Sequence, residues 1–174
     1  MSMTAYRKPS IRAWAGACCV AFAAALAAAP AQATPLALDV TGQITQTTDA
    51  AHSVYHFSEA QLLSLPAHSI STATAWTKKS DFVGPSLADI LKIVGARGQV
   101  VELHSFDDYT YAIPASDADR YGVILAYSMN GKRLQVSDFG PMFLIYPRDQ
   151  YPDELSTAGA TAKFVWQIKS LVIK

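Results

Sequence analysis

The sequence predicts an α+β fold, with mostly antiparallel sheets and two or three short helices. Three observations lead there. Short β-branched and aromatic runs recur between turn residues. Two serine-led helix starts, at Ser58 and Ser86, each precede apolar residues at helical spacing. Asn130-Gly131, set between extended runs, is a strong two-residue hairpin signal.

In chain order, residues 36–45 (LALDVTGQIT) form a strand bent at Gly42. Residues 46–51 form a loop and residues 54–57 a short strand. Ser58 and Gln61 stand as a capping box, Phe57 and Leu62 sit at staple positions, and Pro66 stops this first helix. Residues 68–75 read as extended. The second helix starts at Ser86, carries Leu87, Ile90, Leu91 and Val94 on one face, and ends at Gly95. Residues 100–106 and 109–113 are strands joined by an Asp107-Asp108 turn, and residues 116–121 make one helical turn before Gly122. Residues 123–129 and 132–136 flank the hairpin. Residues 142–146 form a fully apolar strand, 147–159 a loop, and 164–173 the closing strand.

Composition excludes several function classes. Among the first 33 residues, Arg7, Lys8 and Arg12 are basic and none is acidic; an alanine-rich apolar run and the small-x-small triplet Ala31-Gln32-Ala33 follow. This pattern predicts a cleaved signal peptide over 1–33 and a periplasmic or secreted single domain over 34–174. No second long apolar run follows, so no membrane span is expected after cleavage. The whole chain has 14 basic and 14 acidic side chains. Loss of the leader's three cations leaves a mildly acidic domain with no footprint for nucleic acid. Both cysteines, Cys18 and Cys19, lie in the leader. Residues 34–174 therefore have no disulfide, no thiolate nucleophile and no iron–sulfur ligand.

Seven segments follow one another in a telling order: VTGQI, FSEAQLLSLP, FVGPSLADIL, HSFDDYTYAIP, LAYSMNGKRL, GPMFLIYP and VWQIKSLVI. Together, over residues 38–174, they resemble the oxidoreductase molybdopterin-binding domain of the sulfite-oxidase fold, and most closely its small, single-domain secreted members. The resemblance implies a site just after the first helix, where catalytic members hold molybdenum through a pterin dithiolene and one cysteine. Here that place reads STATAW, with Thr72 four residues before Trp76. A hydroxyl is a poor substitute for a soft thiolate. The resemblance also puts cations for the anionic pterin where this chain has Phe143 and Val165, with Lys163 as a partial substitute.

The candidate pocket residues are Thr72, Thr74, Trp76, His104, Asp108, Tyr109 and Arg148. Trp76 is expected as an aromatic wall, Tyr109 as a polar rim, and Arg148 as an anion contact through its guanidinium fork. His104, Asp107, Asp108 and Tyr109 form a polar cluster where a strand turns, and its acidic pair either supplies turn geometry or orients a bound ligand over Trp76. His52 and His56 are four apart, but their surroundings read as strand and lack a third ligand, so they are expected to be structural or solvated. No catalytic residue, metal ligand or bound cofactor is expected. The resulting function is a non-catalytic binding or sensory module for a small anionic or polar ligand, or for a periplasmic protein. The alternative is an oxidoreductase that holds molybdopterin without a cysteine ligand.

N-terminal sequencing of the exported protein is expected to read from Thr34. An exported chain that retains Trp14 would overturn the leader assignment.

Overall fold

A computed structural model describes residues 34–174. The expected leader, residues 1–33, lies outside the described residues. A five-stranded sheet runs in the order β2 (Tyr55–Phe57), β1 (Leu38–Gly42), β11 (Ile168–Ile173), β5 (Val100–Ser105), β6 (Thr110–Pro114). A four-stranded sheet runs β3 (Ala67–Thr72), β4 (Ser80–Pro85), β8 (Ser128–Met129), β9 (Lys132–Arg133), and β7 (Ile124–Ala126) pairs with β10 (Phe143–Ile145). Among the described strands only the pairing of β1 with β11 is parallel. The helices are α1 (Glu59–Ser64), α2 (Leu87–Ile93), α3 (Asp117–Tyr121), α4 (Pro152–Leu155) and α5 (Ala158–Thr161). None of the described helices is long and apolar enough to cross a membrane.

Local chemistry explains most boundaries. Ser58 accepts from the Gln61 N–H while the Gln61 side chain accepts from the Ser58 N–H, completing the capping box. Ser86 caps α2 through the Asp89 N–H, and Gly95 follows that helix in the left-handed region at φ +61°. Gly122 ends α3 in the same way, at φ 62°.

The structure corrects the sequence reading at several places. Residues 80–85, for which no element was expected, form β4, which joins β3 to the hairpin. The expected strand 123–129 is split at Tyr127, whose N–H bonds to the Val83 carbonyl, so its two halves serve different sheets. The return strand of the hairpin is only Lys132–Arg133. Extended backbone from residue 68 stops at Thr72, because Thr74 folds the next residues into a turn. Residues 147–159 contain α4 and the start of α5 instead of an uninterrupted loop. The last strand starts at Ile168, because Gln167 adopts φ 55° and breaks the extended run.

The core is continuous across the sheets. Leu38, Val40, Val101, Leu103, Leu171 and Ile173 bury one face of the large sheet. Phe82 meets Phe143 edge-on at 5.8 Å between centroids. Gly84 has a steric reason to be glycine: a Cβ there would collide with the Leu125 carbonyl oxygen, where β4 crosses β7.

Asp117 is the buried ionic group of this core. Its Oδ2 accepts from the Tyr146 hydroxyl at 2.9 Å and from Lys163 Nζ at 2.7 Å. A buried carboxylate needs such partners to offset its lost hydration. Burial and the Asp117 charge push the Tyr146 hydroxyl far above its ordinary pKa, so it remains a donor.

The hairpin offers a clean test of backbone strain. Asn130 and Gly131 have φ 51° and 74°, as a type I′ turn requires, and open space surrounds the position of a Cβ on Gly131. Gly131→Val should therefore lower stability through conformation alone, by about 1 kcal/mol or more. Thermal unfolding measures this; an unchanged midpoint would exclude the strain argument.

Candidate functional site

The expected pocket divides into two places. The first is a closed polar clasp at the end of β3. Thr72 is fully buried; its hydroxyl donates to Asp149 Oδ1 at 3.1 Å and accepts from the Asp149 N–H at 3.2 Å. The Ala73 N–H also donates to Oδ1, at 3.2 Å, and Lys79 Nζ lies 3.1 Å from Oδ2. The Ala73 N–H does most to hold the Asp149 carboxyl below its ordinary pKa, with help from Lys79 and the Thr72 hydroxyl, while partial burial opposes them. The Asp149 side chain follows β10 by four residues and seals the hydroxyl of the strand that follows α1.

The second place is open. A cavity of about 400 Å³ is bounded by Trp76, Tyr109 and Trp166, with Phe164, Ala162 and Asp107 among its other walls. Trp76 and Tyr109 are 45% and 46% exposed, unusual for large aromatic side chains. Trp76 meets Trp166 at 4.4 Å between centroids and 75° between ring planes. Phe139 and Phe143 pack on Trp166 at 6.0 and 6.2 Å and support it from the core. The Ser105 hydroxyl donates to the Trp166 carbonyl at 2.7 Å and fixes the backbone beneath the indole.

Of the seven candidate residues, Trp76 and Tyr109 lie on this cavity. Thr72 belongs to the clasp. Thr74, also buried, accepts from the N–H groups of Trp76 and Thr77, so it shapes the turn that presents Trp76. His104 projects from the face of β5 opposite buried Ser105, and its Nε2 lies 3.0 Å from Glu102 Oε1. Asp108 turns away at φ 64° to meet Lys169 at 3.0 Å. Of the acidic pair it is Asp107 that lines the cavity, and its Oδ1 accepts from the Tyr109 N–H at 3.1 Å. Arg148 does not act as an anion contact on this wall; its Nε donates to Ser156 Oγ at 3.2 Å.

Sequence reasoning left out Trp166 and Asp149 as site residues, and of the acidic pair it chose Asp108 over Asp107. Trp166 stands inside the VWQIKSLVI segment and Asp149 directly follows Arg148, so both carried a local signal. Neither position reveals its partner across the fold. His52 and His56 pair with Asp49 and Asp39 at the surface, both at 2.7 Å. Among the described residues no group of three or more His, Cys, Asp or Glu side chains could hold a metal ion.

The residues at the clasp do not fit a thiolate-bound molybdenum centre. Residues 34–174 have no cysteine, and the Thr72 hydroxyl already uses both its donor and an acceptor role on Asp149. Phe143 and Val165, where cations were sought for the anionic pterin, are core side chains, 0% and 1% exposed. Lys163 does not replace them, because it is bound to buried Asp117.

Residues 36–151 match the family model described as the oxidoreductase molybdopterin binding domain. The structure is similar to that of the sulfane dehydrogenase SoxCD from Paracoccus pantotrophus, with a TM-score of 0.57 and 16% sequence identity. The similarity covers 79% of this chain but only 37% of that chain, and at this identity it establishes the fold alone. Among curated proteins none matches the chain.

The clasp predicts a pH dependence. A lowered carboxyl pKa stabilises the fold above the ordinary value of about 3.9, and that stabilisation is lost as pH falls toward the lowered value. Wild type should unfold at a higher temperature than Asp149→Asn near neutral pH, with the gap shrinking below about pH 4. A gap that stays constant in thermal melts across this range would exclude Asp149 as the titrating contact.

Proposed function

Because the chain belongs to the oxidoreductase molybdopterin-binding domain family, we propose that it is a non-catalytic version of that domain. In this reading it is exported to the periplasm and binds a small molecule in its aromatic cavity. The observation that carries the proposal is the bond between Thr72 and Asp149. The position that corresponds to the family's metal-binding cysteine holds a hydroxyl bonded to a neighbouring carboxylate.

Redox chemistry in this family belongs to the cofactor, and a protein's part is to hold and orient it. Here the soft ligand is absent and Asp149 takes up the hydroxyl. The apolar side chains of Phe143 and Val165 offer an anionic pterin no charge. What remains accessible is the cavity beside Trp76. Its concave shape, apolar wall and few polar groups are the usual features of a small-molecule site. The expected leader supports export, and a domain that needs no cofactor loaded before export is suited to passage as an unfolded chain.

The test is molybdenum and pterin content, measured on protein purified from a molybdenum-replete periplasm. Wild type is expected to carry neither in stoichiometric amount. Thr72→Cys is expected to stay inactive, because a restored thiolate does not restore the missing cations. Stoichiometric metal and pterin in wild type, with oxidase or reductase turnover, would overturn the proposal in favour of an enzyme that holds its cofactor without cysteine.

A further inference from the structure

We propose that the cavity between Trp76, Trp166 and Tyr109 selects a small organic cation of the quaternary or alkyl-ammonium class. This deepens the binding-module reading and rests on it. Among the small anionic or polar ligands expected from the sequence, an anion would have relied on Arg148, whose Nε donates to Ser156 and which does not line this cavity.

Two features lead to a cation. The first is the shape and chemistry of the walls. Trp76 and Trp166 meet at 75°, so the indoles form a corner and not a stack. Tyr109 lines the same cavity, and Phe164 adds a further apolar surface. Aromatic faces carry negative quadrupole potential, and several such faces around one space favour a cation over a neutral group of equal shape. Trp166 is held in place by Phe139 and Phe143, and Trp76 by the Thr74 turn, so little side-chain ordering remains to be done on binding.

The second feature is charge. Asp107 lines the cavity, and among the described residues no lysine, arginine or histidine pairs with it. Lys169, Lys163 and Lys79 are engaged elsewhere, with Asp108, Asp117 and Asp149, and Lys78, two residues after Trp76, is not among the side chains that line the cavity. The cavity wall thus presents one free carboxylate beside an aromatic corner. A quaternary ammonium head, which has no N–H donors, suits this environment, because it can lose hydration cheaply and needs no directional acceptor. The cavity, at about 400 Å³, has room for such a head group with a short substituent.

The test uses choline, the alcohol in which carbon replaces the choline nitrogen, and the matching carboxylate. Tryptophan fluorescence of the exported protein is read during titration. Choline is expected to give a saturable change, with the neutral alcohol binding about tenfold more weakly and the carboxylate more weakly still. Asp107→Asn keeps an oxygen acceptor for the Tyr109 N–H and should reduce the preference for choline over the alcohol severalfold, without altering the melting temperature. Trp76→Phe should weaken choline binding while keeping an aromatic face. Equal or tighter binding of the alcohol or the carboxylate would overturn the proposal, as would no saturable change with choline. A metal- and pterin-free protein that fails this titration removes only the ligand assignment. A protein that carries the metal and pterin removes the binding-module reading beneath it.

Discussion

The large sheet depends on the insertion of its last strand. β11 lies between β1, with which it is parallel, and β5, with which it is antiparallel. The first and last of the described strands therefore lie side by side, and the sheet's hydrophobic face is complete only when β11 arrives. Leu38, Val40, Leu171 and Ile173 have almost no exposed surface once this has happened. The Lys174 carbonyl accepts from the N–H groups of Gln99 and Val100, which extends the same closure to the end of the chain. Burial on this scale drives folding, and long-range pairing of this kind must first overcome loop-closure entropy.

The cavity inherits its geometry from that insertion. β11 begins immediately after Gln167, whose left-handed backbone conformation turns the preceding residues out of the sheet. Trp166 then lies over Ser105 of β5 on one side and beside Trp76 on the other. A small change at the start of one strand thus joins the Thr74 turn, the β5–β6 turn and α5 around a single aromatic space. The clasp is built differently. It ties the end of β3 to the segment after β10 through one carboxylate, and partial exposure of Asp149 limits what the Lys79 pair adds.

The two places also differ in chemistry. At the clasp, polar groups satisfy one another, and no buried side-chain polar atom among the described residues lacks a partner. At the cavity, large aromatic area is left facing solvent, and Asp107 has no cationic partner among the described residues. Thr72, at the end of β3, is part of the internal hydrogen-bond network through Asp149. Fold and function are separable in this way because packing is set by the core and activity by a few side chains.

The sequence by itself determined the α+β class, both capped helix starts, the hairpin turn and the absence of a thiolate from residues 34–174. These features are local: a serine cap needs a partner three residues away, a type I′ turn needs two adjacent positive-φ residues, and composition needs no geometry at all. It also directed attention to Trp76, through the family resemblance of the STATAW stretch, and to Tyr109, which follows an acidic turn. Only the tertiary structure decided that Thr72 meets Asp149, that Lys163 serves Asp117, and that Asp107 and not Asp108 faces the cavity. The first two contacts join residues 77 and 46 positions apart, and the third depends on the φ of one turn residue. Tertiary structure also split residues 123–129 between two sheets, since nothing local to Tyr127 reveals that its N–H will bond to Val83. Pairings of this kind are fixed by which surfaces meet when the last strand enters the sheet, and residue order alone does not encode them in any readable pattern.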